Sequence, residues 1–481
     1  MANIDASQVE PFREMLSAEE FNRVVELSRT PPPVAVRLNP LKVDPLEAIQ
    51  SLSHRCTWEV ERVPFCPSGW LLKRYKIPPG DALEYRNGHY YIQDASSMLP
   101  VEAFSFVDGH ADLILDMAAA PGGKTTHLAA RAGDAGLIVA NDASSRRIRA
   151  LSSNLRTWGV TSAVITNLQG EELGSQLPGI FDKVLLDAPC SGESLRAGGG
   201  SKGRRVSKRE REALQSQQIR MLLSGMDALR VGGELVYSTC TAAPAENEAV
   251  IDAGLQRKKG QFKLTSIELI ERLAVKPGGL TRFEGHEYHP SLSSTVRLWP
   301  FHFDTGAFFT ARLRRTEGMI EQRADALGGK TPTLIDNNAL NAIHDQLAEF
   351  GFDLLGECQR SKLVLFKQDR FIQAVSSLWL DNVPDLPVKE AGLPVGRWQG
   401  ERFLPAHEWV TRYASDFRER IFTLDEDKTQ RWLRGSDLRD WKPPVKGGAI
   451  LLEDESGRFL GVGSISSQRV RNLLPRSWVA G

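Results

Sequence analysis

Two cysteines and an aspartate are the side chains in this sequence best placed to do chemistry. They sit in Asp187-Ala188-Pro189-Cys190-Ser191-Gly192 and in Ser238-Thr239-Cys240-Thr241. Each segment ends a short apolar run, KVLLDA or GELVYST, of the kind that forms a buried strand. One cysteine among apolar neighbours is usually a small core residue. Two that both follow strands of one sheet, at the edge where open α/β folds bind ligands, are a candidate nucleophilic site with a carboxylate beside it. Methylation of a pyrimidine carbon asks for such a set. Carbon 5 of cytosine is a poor nucleophile, and thiolate addition at carbon 6 makes it enamine-like. A group hydrogen-bonded to the N3 side of the ring stabilises the adduct, a role open to Asp187 if it is protonated or paired. The C5 proton must then leave and the sulfur must be expelled, which needs a second acid–base group. Two thiols and a carboxylate match these roles, and the residues by themselves do not say which thiol attacks.

A methyl donor needs its own pocket. The run LILDM leads into Ala118-Ala119-Ala120-Pro121-Gly122-Gly123-Lys124 and then a helix. Small side chains and two glycines there let a ligand approach the backbone closely. The run LIVAND ends in Asp142, a carboxylate able to accept from both hydroxyls of a ribose. With Asp187 on the same edge, these residues point to an adenosine-containing cofactor. GGKTT is not a phosphate loop, since Ala118 stands where the first glycine is required, and no G-x-G-x-x-G occurs. Amino-group methyltransferases would be expected to carry Asn/Asp-Pro-Pro-Tyr/Phe where this chain has Asp-Ala-Pro-Cys. His286, His289 and His302 lack the partners of a tetrahedral metal site and read as structural, so no metal is expected.

The elements that must position these residues alternate. LILDM, LIVAND, AVITN, KVLLDA and GELVYST read as strands, with helices such as KTTHLAARA and SRRIRALSSNLRTW between them. That pattern predicts a mostly parallel sheet covered on both faces. TVRLWPFHF and AFFTARLRR read as a closing hairpin. Upstream, SAEEFNRVVELSR reads as a helix capped by Ser17 with Glu20, stopped by Pro31 to Pro33, and VAVRLNPLKV and WEVERVPF read as strands. TEGMIEQRADALGGKTP reads as a linker, ALNAIHDQLAEF as helix and KLVLFK as strand; LPVGRWQG, GAILLED and RFLGVGS suggest a compact β-rich end. The expected division is 1–106, an N-terminal α/β extension; 107–315, a Rossmann-like class I methyltransferase core; 316–390, a linker and small α+β unit; and 391–481, a β-rich domain.

At 481 residues the chain is too long for one ordinary core. Its 60 basic and 60 acidic residues cancel, so any nucleic-acid surface has to be local. MANIDASQVEPF has no basic start followed by an apolar run, so no secretory signal is expected; no apolar run is long enough to span a membrane, and five cysteines without a C-x-x-C make no disulfide framework. A reducing cytoplasm and a monomer are the expectation.

At DMAAAPGGKTT, NDAS, LLDAPCSGE, VYSTCT and PAENEAV the sequence resembles the RNA (cytosine-5) methyltransferases of the Sun-related family. AVRLNPLK, GHYYIQDASSMLP and RLWPFHFDTGAFFTARL are similar to that family's flanking segments, so the resemblance covers about 30–315. It implies S-adenosylmethionine as cofactor, held by Ala118 to Lys124, Asp142 and Asp187. It implies Cys240 as nucleophile and Cys190 as the residue assisting product release. Where the family places an aspartate near the adenine this chain has Gln169, whose amide can still pair with the base's amino edge. The C-terminal layout resembles members acting on small-subunit ribosomal RNA and implies a PUA-like RNA-binding module. The other readings are a transfer RNA enzyme and a non-catalytic ribosome-assembly factor.

For holding RNA, the run after the Pro-Cys segment carries Arg196, Lys202, Arg204, Arg205, Lys208, Arg209 and Arg211 against one acid, Glu210. Beside the substrate opening, such a run is expected to meet backbone phosphates, with Arg469, Arg471 and Arg476 near Trp478 extending the surface.

Overall fold

The computed structural model describes residues 6–197, 206–271, 273, 278–319, 327–441, 443–445, 447–466, 469–475 and 478–479. Of the basic residues singled out above, Lys202, Arg204, Arg205 and Arg476 lie outside these, as does part of the expected linker.

The central strands form because their residues are apolar on both faces. Leu113–Asp116, Leu137–Asn141, Ala163–Thr166, Phe181–Asp187 and, beyond its exposed start at Arg230 to Gly232, Leu229–Thr239 are almost wholly buried and pair in parallel. Alternate residues feed two cores. Ile114, Ile138 and Leu185 face Leu128, Leu151, Leu155 and Trp158, which come from the helices Gly123–Arg131 and Ser145–Trp158. Leu115, Val139 and Leu186 face Met221, Leu222, Met226, Val250 and Ile251, from the helices Lys208–Ala228 and Glu248–Arg257. This is a doubly wound sheet, as the strand–helix alternation predicts.

Along the sheet the order is Phe262–Thr265, Phe308–Arg315, Leu229–Thr239, Phe181–Asp187, Leu113–Asp116, Leu137–Asn141, Ala163–Thr166 and Val388–Ala391. The chain winds outward from Leu113–Asp116 on one side, then returns to build the other side from Phe181–Asp187. The switch point lies between those two strands, where ligands bind in such sheets. Phe308–Arg315 runs antiparallel to Leu229–Thr239 and pairs with Val296–Leu298, the expected hairpin. Only Val296–Leu298 of TVRLWPFHF is strand, because Pro300–Phe303 turns as a helix. Two edge strands escaped the sequence reading, Phe262–Thr265 and Val388–Ala391.

In the N-terminal part Ala18–Leu27 is a helix closed by the Ser17/Glu20 capping box. Trp58–Arg62, Gly69–Tyr75, Val34–Leu38 and Tyr90–Gln93 make an antiparallel sheet. Buried Arg37 leaves that sheet to donate to the Gly123 carbonyl at 3.0 Å and the Thr126 hydroxyl at 2.8 Å. Beyond residue 360, Leu363–Gln368, Phe371–Ser376, Leu393–Gln399 and Arg402–Pro405 share one sheet, which takes strands from both sides of position 390. Ile421–Leu424, Gly448–Asp454, Phe459–Ile465 and Val470–Asn472 form another.

The three parts are tied to one another by polar contacts. Lys42 Nζ donates to the Thr157 carbonyl at 2.8 Å and to Thr411 Oγ1 at 3.0 Å. Arg412 donates to the carbonyls of Gly159 and Leu41. Glu390 accepts from Ser152 and Arg156, fastening Val388–Ala391 to the helix beneath it.

Arg297 and Glu248 form a fully buried, two-pronged ion pair below the hairpin, and Arg297 also donates to the Ala242 carbonyl at 2.6 Å. Removing one partner strands the other charge. Arg297→Met is therefore expected to cost about 3–5 kcal/mol of stability, read from the urea midpoint. A loss below about 1 kcal/mol would mean that the carboxylate is not held as an ion.

Candidate active site

The cavity at the switch point has a volume of about 240 Å³. It is lined by Asp116, Ala118 to Pro121, Gly123, Lys124 and Asp187 from the central sheet and by Tyr91, Ile92, Gln93 and Ser97 from the N-terminal part. Strand ends and the helix start at Gly123 bring these residues together. Gly122 holds φ at +110° before that helix, and a side chain there would press on Leu151 at 3.2 Å. Its role is the turn and its packing rather than the lining.

Asp116 is completely enclosed. Its Oδ2 accepts from the Thr125 hydroxyl at 2.7 Å, while Oδ1 finds no partner among the described residues. Burial, aided by the Asp187 charge and opposed by that hydrogen bond, pushes its pKa up to about 7. The Gln93 amide nitrogen is likewise buried and without a partner among the described residues. An orphaned acceptor and an orphaned donor in one cavity suit a ligand carrying both an amine and acceptor atoms.

Besides Gly122, two predicted cofactor residues stand apart from the lining. Asp142 is buried, but its Oδ2 accepts from Ala120 N–H at 3.1 Å and its Oδ1 from Ser144 N–H at 2.9 Å, with Arg147 at 3.5 Å. One carboxylate oxygen braces the Ala118–Lys124 loop and the other the start of the helix Ser145–Trp158. Gln169 is exposed and precedes a short turn of helix. It does not line this cavity.

Asp187 lines the cavity from the strand next to that of Asp116. Its Oδ2 receives Lys124 Nζ at 2.6 Å and its Oδ1 the Ser238 hydroxyl at 2.8 Å. It is thus paired, one of the two conditions the sequence reading set. Burial pulls the Lys124 pKa down, but the Asp187 charge and hydrogen bond outweigh it and the net shift is upward.

The two cysteines meet. Cys190 Sγ and Cys240 Sγ are 3.2 Å apart, Cys240 exposed and Cys190 partly so. The contact with Cys190 lowers the pKa of Cys240; Lys124 acts in the same direction, while burial and Asp187 oppose it. The same contact, then burial and the negative charge at Cys240, raise that of Cys190 well above the thiol range. Cys240 is the sulfur that ionises more readily, an asymmetry that residue types alone did not supply.

Three basic residues differ from their sequence assignment. Arg196 is buried, donating to the carbonyls of Thr30 and Pro31 and to Asp304, so it is a structural tie and not a phosphate contact. Arg211 binds Glu193 and Glu246, and Arg469 pairs with Asp437 at 2.9 Å. Lys208, Arg209 and Arg471 are exposed. Trp478 is buried against His407, with ring centroids 4.1 Å apart. His302 and His289 accept backbone N–H bonds at turn starts, as structural residues do. Cys66, Glu102 and His127 cluster in the core, where Glu102 already bonds His127 at 2.9 Å and pairs with Arg131 at 3.3 Å.

A sheet of this order, with its cleft at the switch point and two thiols near the Asp187–Lys124 pair that lines it, defines a Rossmann-like methyltransferase core. The family described as 16S rRNA methyltransferase RsmB/F matches residues 107–314, and the N-terminal domain of 16S rRNA methyltransferase RsmF matches residues 6–95. A protein named Ribosomal RNA small subunit methyltransferase F from Aeromonas salmonicida (strain A449) is 31% identical over 473 residues, spanning 96% of this chain and 94% of its own. One of the same name from Erwinia tasmaniensis is 29% identical over 476 residues, spanning 98% and 96%. The crystal structure of a methyltransferase homologue from Pyrococcus horikoshii superposes with a TM-score of 0.55 at 30% identity, over 65% of this chain and 99% of that one. NSun6 from the same organism, solved with SFG, gives 0.53 at 22% identity over 65% and 98%, a likeness of fold. The chain belongs to the 16S rRNA methyltransferase RsmB/F family.

No helix among the described residues is long and apolar enough to cross a membrane.

Proposed function

We propose that this chain methylates carbon 5 of an unpaired cytosine in small-subunit ribosomal RNA, using S-adenosylmethionine and a covalent adduct between Cys240 and carbon 6. The observation that carries the reading is the 3.2 Å approach of the two thiols beside the Asp187–Lys124 pair. S-adenosylmethionine would be held by Ala118 to Lys124, Asp116 and Gln93, and supplies an electrophilic methyl group when bound. Asp142 serves it indirectly by shaping the loop.

Cys240 as thiolate adds to carbon 6, and the displaced pair makes carbon 5 nucleophilic while charge collects at N3. N3 takes up a proton from solvent as that charge develops, and Asp187, held by Lys124 and Ser238, accepts the resulting N3–H hydrogen bond. Once carbon 5 carries the methyl group, the protons on carbon 5 and N3 are lost to solvent, the C5=C6 bond re-forms and the C6–S bond breaks with its electron pair leaving on Cys240. Cys190, the protonated neighbour of the departing sulfur, assists that release. The parts flanking 107–315 hold and place the RNA, and the protein acts as a monomer in the cytoplasm, where thiols stay reduced.

A base inside a duplex is beyond reach of a thiol, so the target is unpaired or flipped out. Incubation with methyl-tritiated cofactor and small-subunit ribosomal RNA, followed by nucleoside analysis, tests the proposal; label in any base other than 5-methylcytosine defeats it.

Phosphate contact should make RNA affinity fall with salt, with a log–log slope of about −0.7 to −0.9 per phosphate neutralised. Replacing exposed Lys208 and Arg209 by Gln is expected to weaken binding about equally for all RNA sequences and to flatten that slope by about one to two. An unchanged slope would place the phosphates elsewhere.

A further inference from the structure

The two thiol loops share a support that the reaction scheme above leaves unused. Glu246 and Asn247 are consecutive, follow closely on the Thr-Cys loop and are fully buried. Glu246 Oε2 accepts from Ser191 N–H at 2.9 Å and from Gln218 Nε2 at 3.1 Å, and the same Gln218 amide donates to the Pro189 carbonyl at 2.9 Å. The residues before and after Cys190 are thus fixed to one carboxylate–amide unit. Asn247 does the same for Cys240. Its Oδ1 accepts from the Thr239 hydroxyl at 2.5 Å and its Nδ2 donates to the Thr241 carbonyl at 2.9 Å. Tyr237, on the strand that leads to Cys240, donates to the Glu246 carbonyl at 2.6 Å and so holds the peptide between the two arms.

A fold that needed only packing here would do as well with apolar side chains, since a buried carboxylate is costly unless fully bonded. Glu246 is bonded, with Arg211 donating to its Oε1 at 3.1 Å. We infer that Glu246 and Asn247 are a pair of positioning residues for the methyl transfer, Glu246 with Gln218 setting Cys190 and Asn247 setting Cys240. The peptide bond between them then fixes how far apart the two sulfurs sit. The inference rests on the division of labour proposed for the thiols. Both must meet neighbouring atoms of one ring in successive steps, and a misplacement of roughly 1 Å can cost about 10²-fold.

The test uses the full-length protein, ribosomal RNA and tritiated cofactor, and measures turnover together with the denaturant-resistant protein–RNA complex. Asn247→Asp keeps the acceptor and loses the donor; Thr239→Val removes the hydroxyl from the same arm. Both are expected to slow adduct formation by about 10²-fold with no build-up of complex and little change in cofactor KM. Glu246→Gln and Gln218→Met disturb the other arm, so complex should accumulate as it does in Cys190→Ala. Adding Glu246→Gln to Cys190→Ala should change little further, since the two act on one step. General loosening of the fold cannot give opposite trapping from adjacent residues. The inference is overturned if both arms lose adduct formation equally, or if Asn247→Asp accumulates complex. Should Cys190→Ala itself trap nothing, the failure belongs to the covalent reading and not to the pair.

Discussion

Cys240→Ala is expected to abolish methylation and the covalent complex together, whereas Cys190→Ala should stall with RNA attached to the protein. The basis is the unequal acidity of two sulfurs in contact. Cys240 is the lowered, exposed thiol and Cys190 the raised one, the direction that the proposed division of attack and release requires. The contact also sets a pH signature. Single-turnover adduct formation should rise with pH as Cys240 loses its proton and level off below the range of an ordinary thiol. In Cys190→Ala the hydrogen bond that favours the Cys240 thiolate is gone, so the same curve should move to higher pH. Denaturing gels with labelled RNA read the complex, and quenched flow at several pH values reads the curve. If Cys240→Ala trapped RNA and Cys190→Ala did not, the roles would be reversed; if neither trapped and methylation persisted, the adduct would be lost as a mechanism.

Asp187→Asn is expected to lower the single-turnover rate at saturating cofactor by about 10²–10⁴-fold, the span of a general acid–base contribution. The carboxylate is anchored from two sides, by Lys124 Nζ at 2.6 Å and the Ser238 hydroxyl at 2.8 Å, and asparagine would keep the shape without the charge. Because Asp187 also lines the cavity, binding and chemistry must be measured apart. A loss confined to cofactor affinity, with the rate intact once saturated, would make Asp187 a binding residue only.

Much of the catalytic core was legible because its strands are apolar on both faces and end at polar residues, so a run such as KVLLDA announces both the strand and the place where chemistry begins. The Ser17/Glu20 box was legible for a similar reason, being a local pattern of hydrogen bonds. Val388–Ala391 was not. It reads VKEA, charged as edge strands are, and only pairing with Ala163–Thr166 makes it a strand. Phe262–Thr265 is short and pairs only with Phe308–Arg315, far along the chain. Arg196 was misjudged because its partners, Thr30, Pro31 and Asp304, are remote in sequence. Asp142 was placed correctly at a strand end, yet its carboxylate is taken up by the backbone N–H groups of Ala120 and Ser144, partners that spacing does not announce. Gln93 belongs to the cavity although it comes from the N-terminal sheet, and spacing carries no hint of that docking.

The fastening of Val388–Ala391 to the edge of the central sheet, with Lys42 and Arg412 stapled across the same junction, has a bearing on how a target is chosen. A tail on a free tether could reach many cytosines; one sewn to the core works as a ruler. Under the proposed function, RNA anchored on the C-terminal sheets would lie at a set span from the thiols, and a cytosine would qualify by its spatial offset from a second feature of folded RNA as well as by its neighbours.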